Sequence, residues 1–263
     1  ANIILLEEPE NHLSHSKLNQ LIREIKDSNS QKQVIISTHS SFVANKLGLE
    51  NIILLNKENI IRFNDLTDDT KMFFEKLAGY DTLRLLLCKK AILVEGDSDE
   101  LVVQKAYLDK NSKLPIENGI EVISVGTGFL RFLEISKKLK KPTVVVTDND
   151  GDIDAVKRKY ENYLLEDADT KEYIKICFDD KLDSGNIKNF NYNTLEPKML
   201  KTNGLDLMNN ILGVKYETED ELHKYMHSHK VECALKIFKA KEGSIKYPDY
   251  ILNAIKEISD EKK

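Results

Sequence analysis

The 263-residue sequence has three cysteines, Cys88, Cys177 and Cys233, with no paired spacing among them. That excludes a disulfide framework, and each is expected to be a small buried hydrophobe in a reduced, cytoplasmic setting. No apolar run approaches the ~20 residues that span a bilayer, and no signal-peptide pattern opens the chain. Positive charge is not in excess: 39 Lys and Arg against 44 Asp and Glu leave a net charge of −5. Any contact with nucleic acid must therefore come from local patches or from metal ions. Internal repeats and low-complexity tracts are missing too. There is no initiator methionine, and the first residues already read as a strand, Ile3 to Leu6, as expected of a chain that starts inside a domain. What is present is an ordinary globular composition, 41% apolar, enough for one large domain or two modest ones.

The central stretch is Ala91 to Glu100, AILVEGDSDE. An apolar run, Ala91 to Val94, delivers Glu95 and Gly96 to a turn, and Asp97, Asp99 and Glu100 follow as a helix starts. Open α/β sheets bind ligands at the carboxyl ends of their strands, which is where this pattern puts Glu95. Glycine straight after it permits a sharp turn or a close backbone approach. A second apolar run, Thr143 to Thr147, ends in Asp148-Asn149-Asp150-Gly151-Asp152. Neighbouring parallel strands with acidic ends would gather these carboxylates, and like charges at that density call for a divalent cation with oxygen ligands. Some of the acids have plainer readings. Asp97 and Glu100 suit a solvated helix N-terminus, and Asp152 suits the N-cap of the next helix. The run is not a calcium loop, because its twelfth place, counted from Asp148, is Lys159.

Residues 1–88 read as a separate domain. Ile3 to Leu6 runs into Glu7-Glu8-Pro9-Glu10, and a helix is expected through Leu18, Leu21, Ile22 and Ile25. A second strand, Val34 to Ile36, ends in Ser37-Thr38-His39-Ser40. Four aliphatics followed by two acids form a Walker B pattern, in which the first acid helps hold magnesium and the second handles the attacking water. With His39 at the next strand end, the order resembles the second half of an ABC-type ATPase. That resemblance implies nucleotide contacts at Glu7, Glu8 and His39. The sequence departs from the family at Glu7, where aspartate is usual, and contains no G-x-x-x-x-G-K-[ST] loop, so ATP hydrolysis is expected to need a half that precedes these residues. Two short strands (Asn51 to Leu55, Asn59 to Phe63), a polar loop at Leu66 to Thr70, a helix bearing Phe73, Phe74 and Leu77, and a helix from Thr82 to Cys88 capped by Asp81 complete this domain.

From residue 89 the expected order is strand, helix (Ser98 to Leu108), strand (Ile120 to Ser124), a Gly126-Thr127-Gly128 turn, helix (Phe129 to Leu139), strand (Thr143 to Thr147), helix (Ile153 to Leu165) and strand (Tyr173 to Phe178). Such alternation predicts a parallel sheet with right-handed crossovers. Helices are expected at Glu196 to Asn203, Thr218 to His229, Val231 to Ala240 and Pro248 to Ile258, packed as a small extension on the sheet, with a polar loop from Asp179 to Tyr192 beside the acidic turns.

The V-E-G at Glu95 and the D-x-D at Asp148 and Asp150 resemble the Toprim fold of topoisomerases, primases and nucleases. An ABC-type ATPase half running into a Toprim domain is similar to the OLD-family ATP-dependent nucleases, which include the A subunit of the Gabija anti-phage system. The resemblance spans Ile3 to about Ile255. It implies a divalent-metal endonuclease acting on DNA with Mg2+ or Mn2+, regulated by ATP in the intact protein and serving phage defence. It further implies homodimers or larger assemblies and a helicase-like partner. Its acidic motif falls here on Glu95 and Asp99, a shorter second carboxylate than usual. A further acid matches Glu196 and a lysine matches Lys230, both by order in the chain. The metal set so implied is Glu95, Asp99, Asp148, Asp150, Asp152 and Glu196, with Glu95, Asp148, Asp150 and Lys230 catalytic.

The chemistry is consistent with that set: phosphodiester cleavage needs an activated water, a stabilised leaving oxygen and charge neutralisation, which two metals about 4 Å apart supply together. Other readings stay open. Lys230 could be an ordinary surface lysine, and Lys137 to Lys141 a solvated helix end or a contact to DNA phosphates. His223, His227 and His229 have too few companions for a zinc site. The whole chain could be a non-catalytic binding or assembly module with a structural metal. It could also be a nick-and-rejoin enzyme, which would need a tyrosine such as Tyr107, Tyr160 or Tyr192 as nucleophile.

Overall fold

The computed structural model describes residues 3–11, 13–28, 32–48, 51–56, 59–62, 65–77, 80–164 and 172–260. It divides into two compact units, residues 1–87 and 88–263.

In the first unit β1 (Ile3–Glu7) pairs in parallel with β2 (Gln33–Ser37), so that Glu7 lies beside Ser37. Between them runs α1 (His15–Ser28), which buries Leu18 and Ile22 against Val43 of α2 (Ser41–Leu47). Helix α2 is capped by Ser40, whose Oγ accepts from the Val43 amide; the sequence reading had no helix there. A hairpin of β3 (Ile53–Asn56) and β4 (Asn59–Arg62) follows, then α3 (Asp68–Leu77) and α4 (Tyr80–Leu87). Helix α3 therefore takes in the end of the expected loop at Leu66 to Thr70, and Asp81 lies inside α4 rather than capping it. His12, Phe63 and Gly79, and the side chains of Phe73, Phe74 and Leu77, fall outside the described residues.

The second unit is built on β5 (Lys90–Val94), β6 (Ile120–Ser124), β7 (Thr143–Val146) and β8 (Ile174–Cys177), all parallel, in the order β6-β5-β7-β8. The crossovers carry α5 (Asp97–Asn111), α6 (Phe129–Lys138), α7 (Ile153–Lys159) and the short α8 (Glu161–Leu164). Strands β5 and β7 are buried on both faces, as aliphatic runs in the middle of a parallel sheet must be. The helix expected from Ile153 to Leu165 breaks at Tyr160, whose buried ring meets Phe129 edge-on.

Five helices follow: α9 (Leu195–Asn203), α10 (Leu205–Leu212), α11 (Glu219–Ser228), α12 (Lys230–Lys239) and α13 (Asp249–Ser259). They are more than an extension. Ile92, Val94, Val144 and Val146 share one core with Leu195, Met199, Ile251, Ala254 and Ile255, so these helices form one face of the domain together with α5. The sheet order reverses direction between β5 and β7. That is the topological switch point, where the crevice beyond the strand ends opens.

Candidate metal centre

Glu95 leaves β5 and Asp148 lies just past β7, on adjacent strands at the same end of the sheet. The Glu95 carbonyl accepts from Gly126 N at 2.9 Å, which ties the first acidic turn to the glycine loop after β6. Glu95 is exposed. Asp99 sits in the first turn of α5, and its Oδ2 accepts from Gly96 N at 3.1 Å, so the helix start fixes the carboxylate. Asp148 is held from two sides: Oδ2 accepts from Leu195 N at 3.1 Å, the first amide of α9, and Oδ1 from the Tyr250 hydroxyl at 3.4 Å. The next residue of α9 is Glu196, buried, with Lys230 Nζ 3.4 Å from its Oε2. That oxygen has no hydrogen-bond partner among the described residues.

These carboxylates repel one another. Burial, then Glu196 and Glu95, push the Asp99 carboxyl from 3.8 up to about 7, against the hydrogen bond from Gly96. Asp148 is pushed well above its ordinary value by burial, then by Asp99, Glu196 and Asp150, against the Leu195 amide. The structure thus brings Glu95, Asp99, Asp148, Asp150, Glu196 and Lys230 into one electrostatic neighbourhood. An all-oxygen donor set short of positive charge fits a hard divalent cation such as Mg2+ or Mn2+. Among the described residues no group of three His, Cys, Asp or Glu is already gathered closely enough to clasp an ion.

Asp152 stands apart from this group. It is the N-cap of α7: Oδ1 accepts from Ala155 N at 2.8 Å and Oδ2 lies 3.8 Å from Arg158. Asp150 is exposed, takes a left-handed backbone (φ 49°), and accepts from Asn191 Nδ2 at 3.1 Å. Non-glycine residues adopt that conformation where surroundings over-determine it. Here the surroundings are the loop at residues 179–193. Asn149 Nδ2 donates to the carbonyls of Asp179 and Lys181, and Asn193 brackets Asp183 through both its side-chain atoms. Lys198 of α9, buried, fastens the loop through Asp179 (2.5 Å) and Asp183 (2.8 Å). Burial lowers its pKa, but these two partners outweigh burial and raise it.

Sequence reasoning missed Lys198, Asp179, Asp183 and Tyr250; no local pattern marks them. The Lys137 to Lys141 run ends α6 and precedes β7, at the opposite end of the strands from the carboxylates. Lys141 is buried, with its Nζ on the Cys88 carbonyl, so it is neither solvated nor placed for phosphates at this site. His223 is buried against Phe190 and Tyr192, and His229 stacks on Tyr225. None of the three tyrosines considered as nucleophiles offers an accessible hydroxyl: Tyr107 takes a hydrogen bond from Asn118, Tyr192 one from Ile187 N, and Tyr160 is fully buried. Burial pushes the thiols of Cys177 and Cys233 to about 12 and about 11, which keeps them protonated and inert.

Residues 86–150, which contain Glu95, Asp99, Asp148 and Asp150, match the family model described as "Overcoming lysogenization defect protein-like, TOPRIM domain". The chain carries an OLD-like Toprim domain. Residues 1–45 match a second family model, "AAA domain, putative AbiEii toxin, Type IV TA system". No curated protein matches the chain. Among solved structures the chain is similar to the C-terminal region of the Burkholderia pseudomallei OLD protein, at 21% identity over 65% of this chain and 96% of that one, TM-score 0.48. It is also similar to the C-terminal region of the Xanthomonas campestris pv. campestris OLD protein, at 20% identity over 65% and 94%, TM-score 0.44.

In the AAA-like unit, the β1–β2 register sets Glu8 beside the end of β2. Glu8 N donates to the Ser37 carbonyl and Glu8 Oε1 lies 3.3 Å from His39 Nε2. Glu8 has a left-handed backbone (φ 42°), and Glu7 is exposed at the strand end. Glu10, passed over in the sequence, organises this corner: its Oε1 accepts from Thr38 Oγ1, His39 N and Ser40 N. Burial raises its pKa, but those hydrogen bonds prevail and hold it below the ordinary value.

Proposed function

We propose that the OLD-like Toprim domain is a divalent-metal-dependent endonuclease that nicks or cuts DNA. The observation that carries this reading is the mutual repulsion of Asp99, Asp148 and Glu196 in a crevice at the sheet's switch point, an arrangement that a cation would relieve. Glu95, Asp99, Asp148, Asp150 and Glu196 are the residues that would hold Mg2+ or Mn2+, which supplies Lewis acidity and an activated water when bound. Within this reading Asp148 is the fixed ligand, braced by the α9 amide and Tyr250. Asp150 and Glu95, both exposed, are the acids of the set most accessible to a phosphate group from solvent. The Lys230 ammonium stabilises negative charge on the phosphoryl oxygens. Asp152 is left out of the metal set, because capping α7 occupies it.

The AAA match supports nucleotide binding by the first unit, and the proposal includes ATP contacts at Glu7, Glu8 and His39 that regulate cleavage. A homo-oligomer, a helicase-like partner and a role in phage defence rest on the family resemblance alone. The test is cleavage of supercoiled plasmid with magnesium, manganese, calcium or EDTA, beside Glu95→Ala and Asp148→Ala. Nicking or linearisation that needs metal and disappears in both variants supports the nuclease. Cleavage that persists in EDTA, or in both variants, refutes it.

A further inference from the structure

Resting on the metal-site reading above, we infer that Lys230 is a resident counter-ion of Glu196 that competes with the divalent cation, so that loading the site exchanges an ammonium for a metal. Glu196 is a buried acid in the first turn of α9, and the side chains of the pair differ sharply in exposure, 6% for Glu196 and 43% for Lys230. The acid is buried, whereas the lysine reaches solvent. Their separation of 3.4 Å is an ion pair without a formed hydrogen bond, and Glu196 Oε2 is otherwise without a partner among the described residues. A carboxylate oxygen bonded firmly to lysine could not be surrendered cheaply, whereas one that meets its cation loosely can. Lys230 begins α12 and its stem lines a small pocket with Glu196, Met226, Cys233 and Ile237, so the chain is supported whether or not its ammonium stays on the acid.

The exchange has a consequence for the order of events. An ammonium and a dication cannot share Glu196 without repulsion, so a bound cation would weaken the contact between Lys230 and Glu196. Lys230, the proposed stabiliser of phosphoryl charge, would then be freed from its acid at the site where it is to act.

The experiment is calorimetric titration of Mn2+ alone into the whole chain and into Lys230→Met, Lys230→Arg and Glu196→Gln, each checked for native circular dichroism. Lys230→Met keeps the stem that the pocket holds. Expected is Mn2+ binding about two- to fivefold tighter in Lys230→Met, the range allowed for a partly exposed charge pair. Lys230→Arg should bind as the parent does. In the Glu196→Gln background, Lys230→Met should no longer tighten binding. Unchanged or weaker binding in Lys230→Met overturns the inference, as does equal tightening with and without Glu196, which would make Lys230 a diffuse surface charge. No Mn2+ binding by the parent chain overturns it too, together with the metal site. Failure of the nuclease reading shows instead in the plasmid assay, with the titrations behaving as expected.

Discussion

Replacing Asp99 with asparagine should stabilise the second unit when no metal is present. Burial and its acidic neighbours raise the Asp99 carboxyl from 3.8 to about 7. A carboxyl raised on folding costs nothing below its unfolded pKa of ~3.8. The cost grows as pH climbs toward 7 and is complete above it. Roughly three pKa units at about 1.36 kcal/mol each set a ceiling near 4 kcal/mol. Protons shared within the cluster and local relaxation reduce that to ~2 kcal/mol. Asparagine keeps an oxygen for the Gly96 amide and removes the charge that Glu196 and Glu95 repel. In EDTA at pH 8, calorimetry that separates the transitions of the two units should show the second melting roughly 4–8 °C higher in Asp99→Asn than in the parent. At pH 5 the difference should shrink, and with millimolar Mn2+ its sign should reverse, since the parent then gains a bound ion. A variant that melts at or below the parent in EDTA at pH 8 would refute the claim that this cluster is held together against its own repulsion.

Other substitutions test the supports of the site. Lys198→Met leaves Asp179 and Asp183 without their buried cation and should cost about 3–5 kcal/mol in urea denaturation of the second unit, with hydrogen exchange quickening first across residues 179–193. Gly185→Ala would put a methyl group 2.2 Å from the Tyr192 ring, so the loop must part; expected are faster exchange there and weaker Mn2+ binding without loss of secondary structure. In the first unit Glu10→Ala removes the acceptor shared by Thr38 Oγ1, His39 N and Ser40 N, of which Ser40 N keeps Thr38 Oγ1, and should cost about 1 kcal/mol, read as a lower melting transition for that unit alone.

The parts of the molecule legible in the sequence are those that depend on neighbours along the chain. Strands β5 and β7 declare themselves as aliphatic runs because both their faces are covered, and the acids that follow mark the ligand end of the sheet. Glu196 and Lys230 could be placed only by family order, yet they meet at 3.4 Å. The parts that escaped depend on distant partners. Nothing around Lys198 distinguishes it from a surface lysine; its burial follows from a loop that returns to it. Tyr250 reads as the start of an amphipathic helix, and only the packing of α13 on the sheet carries its hydroxyl to Asp148. Helix α10, between Gly204 and Gly213, is short enough that its apolar spacing hid in what reads as a connector. The lysine run holds as a solvated helix end at Lys137, Lys138 and Lys140, which are exposed, but Lys141 turns inward to the Cys88 carbonyl, a distant partner that its composition does not reveal.

The bracing of Asp148 has a consequence in time. Its two supports arrive late: the amide of Leu195 and the hydroxyl of Tyr250 are made long after Glu95, Asp99 and Asp148 itself. During synthesis from the N-terminus the early acids leave the ribosome while the helices that seat them are still unmade. The cluster lacks one of its supports until α13 has emerged and packed. A carboxylate cluster assembled in this order is complete only once α13 has packed and brought Tyr250 to Asp148.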